Sequence, residues 1–278
     1  MGIGQTSSSW INRFLLLLII AALVAVDSPV LGWYGPNIAQ WLGVSAAWIE
    51  PHRVMECLLI LTMPVAIATG AIETVHLVII LLAGEVAPQV FPQPPSILVA
   101  KGSGIAVYLC LTLLIPPLRR TMPWARLGKI DGRSAALAGI VVPIAALALV
   151  AWAHWMHPNM SGYSPILPHG TRVELIEYMG LFAAGNALLE EILYRGVMLS
   201  ALDAAFGAGW FGLVVQSVSF GMAHFLGGFP CGWVGVGMTF LYGLAMGLLR
   251  RRSNGLLLPW ITHATADFAV ICLIVYNA

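Results

Sequence analysis

Apolar stretches of the length needed to cross a lipid bilayer recur along the whole of this 278-residue chain. A hydrocarbon core of about 30 Å is crossed by about 20 helical residues. Backbone groups in lipid must be satisfied internally, which leaves helices or closed barrels as the only spanning structures. Only 9% of the residues are Asp, Glu, Lys or Arg, against 59% hydrophobic. A soluble domain carries about 25% charged residues, so these charges could not coat a water-facing surface of this size. Disordered chains are apolar-poor and charge-rich, the opposite pattern. A net charge of +1 offers little to neutralise phosphates, so no nucleic-acid partner is expected. The expected fold is all-α, a polytopic transmembrane helical bundle of about eight or nine spans.

The spans read as Arg13 to Leu31, Val54 to Ala71, Val75 to Val90, Ile97 to Leu118 and Ser134 to Trp155. They continue as Leu175 to Ala201, Gly209 to Leu226, Gly232 to Leu249 and Leu256 to Tyr276. The second and third could instead form one re-entrant hairpin, because Glu73, His76 and Glu85 interrupt them. The first is read as a retained helix, since Ala25-Val26-Asp27 is a poor signal-peptide cleavage site. Eight of the 13 basic residues lie in two places: Arg119, Arg120, Arg126, Lys129 and Arg133 after the fourth span, and Arg250 to Arg252 after the eighth. Four spans separate them, so both fall on one side, and the positive-inside rule makes that side cytoplasmic. The N-terminus then lies in the cytoplasm, as for a multi-pass protein of a bacterial inner or plasma membrane. Met156 to Arg172, rich in Pro, Gly and Asn, reads as an external loop. Cys57, Cys110, Cys231 and Cys272 show no paired spacing and read as buried small apolar residues. Gly243 and Gly247 are four apart, as helices in close contact require.

The sixth span carries Asn186, Glu190, Glu191 and Arg195 within apolar sequence. A charge at the centre of a membrane helix costs about 2.5–3.5 kcal/mol on insertion scales. Glu191 and Arg195 are four apart in the favoured order and can neutralise each other. Glu190, rotated about 100° away, is left over, and an intramembrane carboxylate is a functional hypothesis by default. His224 follows in the seventh span, and His263 with Asp267 in the ninth, the last two sharing a helix face. Counted from the cytoplasmic turns at 1.5 Å per residue, Glu190, His224 and His263 lie at roughly 18, 24 and 14 Å. Their levels therefore agree to within about 10 Å. His52, His154, His157 and His169 fall in loops or at span ends, and His76 in the less certain third span.

A carboxylate in an apolar site binds protons more readily and can act as a base on water. Histidines can share that proton, and His263 with Asp267 could polarise a carbonyl or stabilise an oxyanion. Glu190, His224 and His263 also match zinc's preference for nitrogen and oxygen ligands with an open position for water. Either chemistry points to hydrolysis of an acyl or peptide bond. A proton-coupled transporter also places Glu and His at mid-membrane, but the chain shows no repeated halves.

At these residues the sequence resembles the CPBP family of intramembrane proteases, also known as the CAAX-protease and bacteriocin-processing or Abi family. The family pattern EExxxR, FxxxH and HxxxN is matched by Glu190-Glu191 to Arg195, Phe220 to His224, and His263 to Asp267. The resemblance covers roughly Leu175 to Tyr276, so 173–278 reads as the catalytic helical core, and 1–172 as N-terminal transmembrane helices of no diagnostic pattern that carry the cytoplasmic basic loop at 119–133. It implies an intramembrane endopeptidase or (metallo)protease acting on a membrane-embedded or lipid-associated peptide. Glu190 would activate water with His224, while Glu191 and Arg195 would be supporting. His263 and Asp267 would hold the water or the oxyanion. Asp267 departs from the usual asparagine, and an ionised carboxylate accepts hydrogen bonds without donating them. The family is described both with a divalent metal and with a metal-free glutamate mechanism. A non-catalytic immunity-type membrane protein remains the other reading of the same helices.

Overall fold

The computed structural model describes residues 3–29, 37, 40, 50–90, 97–122, 124–159 and 171–277. The described residues contain helices and no strand: α1 (Ile3–Val26), α2 (Pro51–Thr69), α3 (Ile72–Val90), α4 (Ile97–Leu114), the short α5 (Pro116–Arg120) and α6 (Gly132–Met156). Then follow α7 (Arg172–Glu190), a π-helical segment (Glu191–Met198), α8 (Leu199–Phe206), α9 (Trp210–Met222), α10 (Gly232–Ser253) and α11 (Leu257–Asn277). Four stretches among the described residues are long and apolar enough to cross a membrane: Pro51–Thr69, Gly132–Met156, Gly232–Ser253 and Leu257–Tyr276. Shorter apolar stretches run over Trp10–Val26, Gly102–Leu114 and Trp210–Met222.

Local chemistry fixes the helix ends. Asp131 caps α6: its carboxylate accepts from Ser134 N at 2.7 Å, and Ser134 Oγ accepts from Asp131 N at 3.0 Å. Thr171 and Glu174 form the same reciprocal cap on α7. Such caps satisfy amide groups that a helix start leaves unpaired. Gly70, left-handed at φ 68°, ends α2 and lets α3 begin at once, so the second and third spans are separate helices.

Helix outer faces carry Ile60, Leu61, Ile144, Leu147 and Leu181, all more than half exposed. Large apolar side chains turned outward on several long apolar helices are what lipid-facing surfaces present. The same outward orientation corrects the expectation for the cysteines: Cys57, Cys110 and Cys272 are exposed rather than buried, because they fall on these faces.

In the C-terminal half, α9 packs along α10 and α11 along α7, while α6 crosses α10 and α11. Gly243 and Gly247 make the α9–α10 approach possible. A Cβ on Gly247 would stand 2.6 Å from Leu213 Cδ2, and one on Gly243 would stand 3.1 Å from Ser217.

The basic regions meet at one end of the bundle. Lys129 N donates to Ser253 O at 2.7 Å, and Leu256 N to Arg126 O at 2.9 Å. Arg251 grips Asp203 and donates to Gly209 O at 2.9 Å, while Arg13 Nε donates to Ala205 O at 2.7 Å. The backbone at Arg126 and Lys129 and the side chains of Arg13 and Arg251 are thus tied to the neighbouring turns at 203–209 and 253–256. The proposed external loop lies mostly outside the described residues, with 160–170 and His169 among those not described.

Candidate active site

One uninterrupted helical rod runs from Arg172 to Phe206, and its middle is the π-helical Glu191–Met198. Leu199 N donates to Tyr194 O, five residues back, where an α-helix would bond four back. π-Bulges occur frequently at functional sites. This one begins at the Glu190–Glu191 pair, and Glu191 and Arg195 within it are fully buried.

The expected ion pair forms, with Arg195 Nη1 donating to Glu191 Oε1 at 2.9 Å. The Arg195 guanidinium also lies 4.3 Å from the centre of the Phe220 ring. A desolvated cation–π contact of this type contributes about 2 kcal/mol. Phe220 stands at the hub: its ring contacts Tyr194 at 5.0 Å, His224 at 4.8 Å and His263 at 5.9 Å. A phenylalanine four residues before a histidine therefore holds both histidines and the arginine.

His263, on α11, is set differently from the sequence expectation. Its Nδ1 donates to Glu191 Oε1 at 2.8 Å. Asp267, one turn along α11, sits at the other nitrogen, with Oδ1 3.5 Å from Nε2. Glu190 Oε2 lies 3.7 Å from that same Nε2. Three carboxylates thus surround one imidazole, two of them at Nε2. A carboxylate only accepts when ionised, so both ring nitrogens of His263 face acceptor groups. Asp267 is in turn held across helices, its Oδ2 accepting from Asn186 Nδ2 at 3.0 Å.

His224 lies just beyond α9, which ends at Met222, so it occupies a turn rather than the span interior. Its Nδ1 donates to Phe220 O at 2.9 Å. A carbonyl can only accept, so this bond fixes the tautomer and leaves Nε2 as the basic nitrogen.

A cavity of about 310 Å³ borders this cluster. His224, His263 and Asp267 supply polar groups to its wall, and the rest is mostly apolar. Val141, Ala145, Ala148 and Leu149 of α6 form one side, and Tyr242 and Ala245 of α10 another. Nothing in the apolar run of α6 marks it as bordering the site.

Of the six residues singled out, Glu190, Glu191, Arg195, His263 and Asp267 form one connected group, with His224 joined to it through Phe220. Asn186, noted in the sequence among the polar residues of the sixth span but given no role there, joins them through Asp267. Its signal was an amide in an apolar helix, one turn before Glu190.

The fit to a metal can be judged on these donors. The Nδ1 bonds of His263 to Glu191 and of His224 to the Phe220 carbonyl are ones that a metal-bound histidine also makes, so the number of converging ligands decides. Among the described residues no three His, Cys, Asp or Glu side chains converge as a ligand set. As placed, Glu190, His224 and His263 do not fit zinc, whose sites need three or four converging ligands.

In comparison with known families, residues 172–269, about a third of the chain, fit the model described as "Type II CAAX prenyl endopeptidase Rce1-like". No curated protein and no solved structure gives a significant match. The matched region spans all three motifs, from α7 through Asp267. The match of residues 172–269 to the Rce1-like CAAX endopeptidase model is in line with the CPBP-family resemblance of the motifs they contain.

Proposed function

We propose that the chain is an intramembrane endopeptidase that hydrolyses a peptide bond of a membrane-associated protein or peptide, with Glu190 as general base. The observation that carries the reading is the convergence of Glu190, Asp267 and Glu191 on His263 beside the apolar cavity. The family match supports a CAAX-type protease.

In this reading a peptide carbonyl enters from the cavity side. Glu190 takes a proton from water, while His224 Nε2 accepts that water's second hydrogen as a hydrogen bond. The hydroxide attacks the carbonyl carbon, and the N–H at His263 Nε2 faces the oxyanion. Glu190 then returns its proton to the departing amine as the C–N bond breaks, so protons balance over the cycle. Glu191 and Arg195 hold His263 and touch no substrate. No step passes through a metal, because the donors do not form a ligand set.

The proposed topology places the N-terminus, loop 119–133 and Arg250 to Arg252 in the cytoplasm, with eight or nine spans in total. Its support is the set of hydrogen bonds that tie these basic segments to the neighbouring turns. A bacterial inner or plasma membrane is the proposed location.

The test is cleavage of a tethered membrane peptide by purified full-length protein. Glu190→Gln removes the base while keeping size, and is expected to lower kcat by about 10²–10⁴-fold, the usual worth of a general base. Full cleavage by this variant and by His224→Ala would sink the protease reading in favour of a non-catalytic membrane protein.

A further inference from the structure

Asn186 has no role in the reaction described above, and the three motifs do not include it. It lies on α7 one turn before Glu190, half-buried against α11. Its amide donates to Asp267 Oδ2 at 3.0 Å, across 81 residues of sequence. The other carboxylate oxygen, Oδ1, stands 3.5 Å from His263 Nε2. A carboxylate has one torsion that orients both oxygens together, so anchoring Oδ2 fixes where Oδ1 points.

The α7–α11 interface does not depend on this bond for its packing. Met179, Ala183 and Ile271 form an apolar core between the two helices, with Leu175, Phe182 and Val275 around it. Trp260 Nε1 donates to Ala184 O at 2.8 Å and supplies a second polar tie. A hydrogen bond between helices in membrane contributes little to stability on average. An amide and a carboxylate placed beside the cavity need a reason other than stability.

The electrostatics supply one. The groups facing His263 are Glu190, Glu191 and Arg195 from the rod, Tyr242 from α10 and Asp267 on its own helix, with His224 across Phe220. Glu190 and Asp267 compete for the single N–H at Nε2. An untethered Asp267 could rotate onto Nε2 at full hydrogen-bond distance and displace Glu190. Held by Asn186, Oδ1 stays at 3.5 Å, beyond a strong bond.

We propose that Asn186 is a positioning residue: by anchoring Asp267 it keeps His263 Nε2 available to Glu190 and the reacting carbonyl. This rests on the hydrolytic reading of the site. The test uses full-length protein in lipid nanodiscs, with a tethered membrane peptide as substrate. Asn186→Leu keeps the volume and removes the donor; the expectation is a 10–100-fold lower kcat with KM changed less than about threefold. Adding Asp267→Asn to Asn186→Leu removes the competing charge without restoring the tie; the expectation is a kcat at least tenfold above that of Asn186→Leu alone, with a thermal midpoint no higher. Wild-type kcat in Asn186→Leu, or no gain of kcat in the double variant, would show a mere helix tie and overturn the proposal. Should Asn186→Leu fail to fold, Asn186→Ala with and without Asp267→Asn decides in the same way. Glu190→Gln is read in parallel: cleavage by that variant overturns the hydrolytic reading itself, a result separable from the two Asn186 outcomes.

Discussion

Glu191 Oε1 accepts two hydrogen bonds at once, from Arg195 Nη1 at 2.9 Å and from His263 Nδ1 at 2.8 Å. One oxygen atom thus ties the π-helical segment to α11. All three side chains are buried, and removing one partner of a buried ion pair costs about 3–5 kcal/mol, because the other charge is left uncompensated. Glu191→Ala is expected to lower stability by about that amount, read as a loss of thermal midpoint in detergent. Adding Arg195→Met, which removes the stranded charge, should recover most of the stability. Cleavage should stay low in the double variant, because His263 has lost the acceptor that orients it. Recovery of both stability and activity would contradict this account of Glu191.

A reaction that runs on Glu190 and His224 without a ligand set should be indifferent to chelators. Cleavage by purified protein is expected to persist in EDTA and in 1,10-phenanthroline, and elemental analysis should find less than about 0.1 metal ion per chain if no three ligands converge. Loss of activity on chelation, restored by added zinc, would show that Glu190, His224 and His263 rearrange to bind metal.

Much of this arrangement was legible from composition and spacing, and what was missed shares one cause. The described helices follow the apolar runs closely, because lipid leaves a backbone no other way to satisfy its hydrogen bonds. Glu191 and Arg195 were legible because their partnership is local. The partner of His263 Nδ1 was not: Asp267, four residues away, was the local candidate, whereas Glu191, 72 residues away, holds the bond. Asn186 on Asp267, and α6 on the cavity wall, are tertiary in the same sense. The π-helical register was hidden for another reason, since Ile192 to Met198 are ordinary helix-compatible residues and the register is set by packing rather than propensity.

The π-helical segment is buttressed by Trp124, and Gly196 makes room for it. A Cβ at Gly196 would lie 3.2 Å from the Trp124 ring, closer than the ring tolerates without shifting. The ring is buried and stacked on Tyr108 at 6.2 Å, so it has little freedom to move. Gly to Ala inside a helix ordinarily gains about 1 kcal/mol, while overpacking a core loses about 1–3 kcal/mol. Gly196→Ala is therefore expected to be destabilising by a net 0 to about 2 kcal/mol. In a Trp124→Leu background the same change should become neutral or stabilising. The thermal midpoints of the four proteins form a double-mutant cycle, and a coupling energy near zero would show that Trp124 and Gly196 do not meet.

Helix α6 lies outside the matched region yet walls the cavity with Ala145 and Ala148. Small residues there leave space beside Tyr242 and Ala245 of α10. Neighbouring Ile144 is largely exposed on the lipid-facing side, so the cavity is within reach of a chain arriving from the bilayer. A phenylalanine side chain would fill much of a 310 Å³ space. Such a change removes binding common to ground and transition states, which raises KM and leaves kcat unchanged. Ala148→Phe is expected to raise KM by about tenfold or more, equivalent to at least 1.4 kcal/mol of lost binding, with kcat within about threefold. Ala148→Val should fall between the two. Steady-state cleavage of one tethered peptide by all three proteins checks the order. An unchanged KM in Ala148→Phe would show that substrate reaches Glu190 by another route.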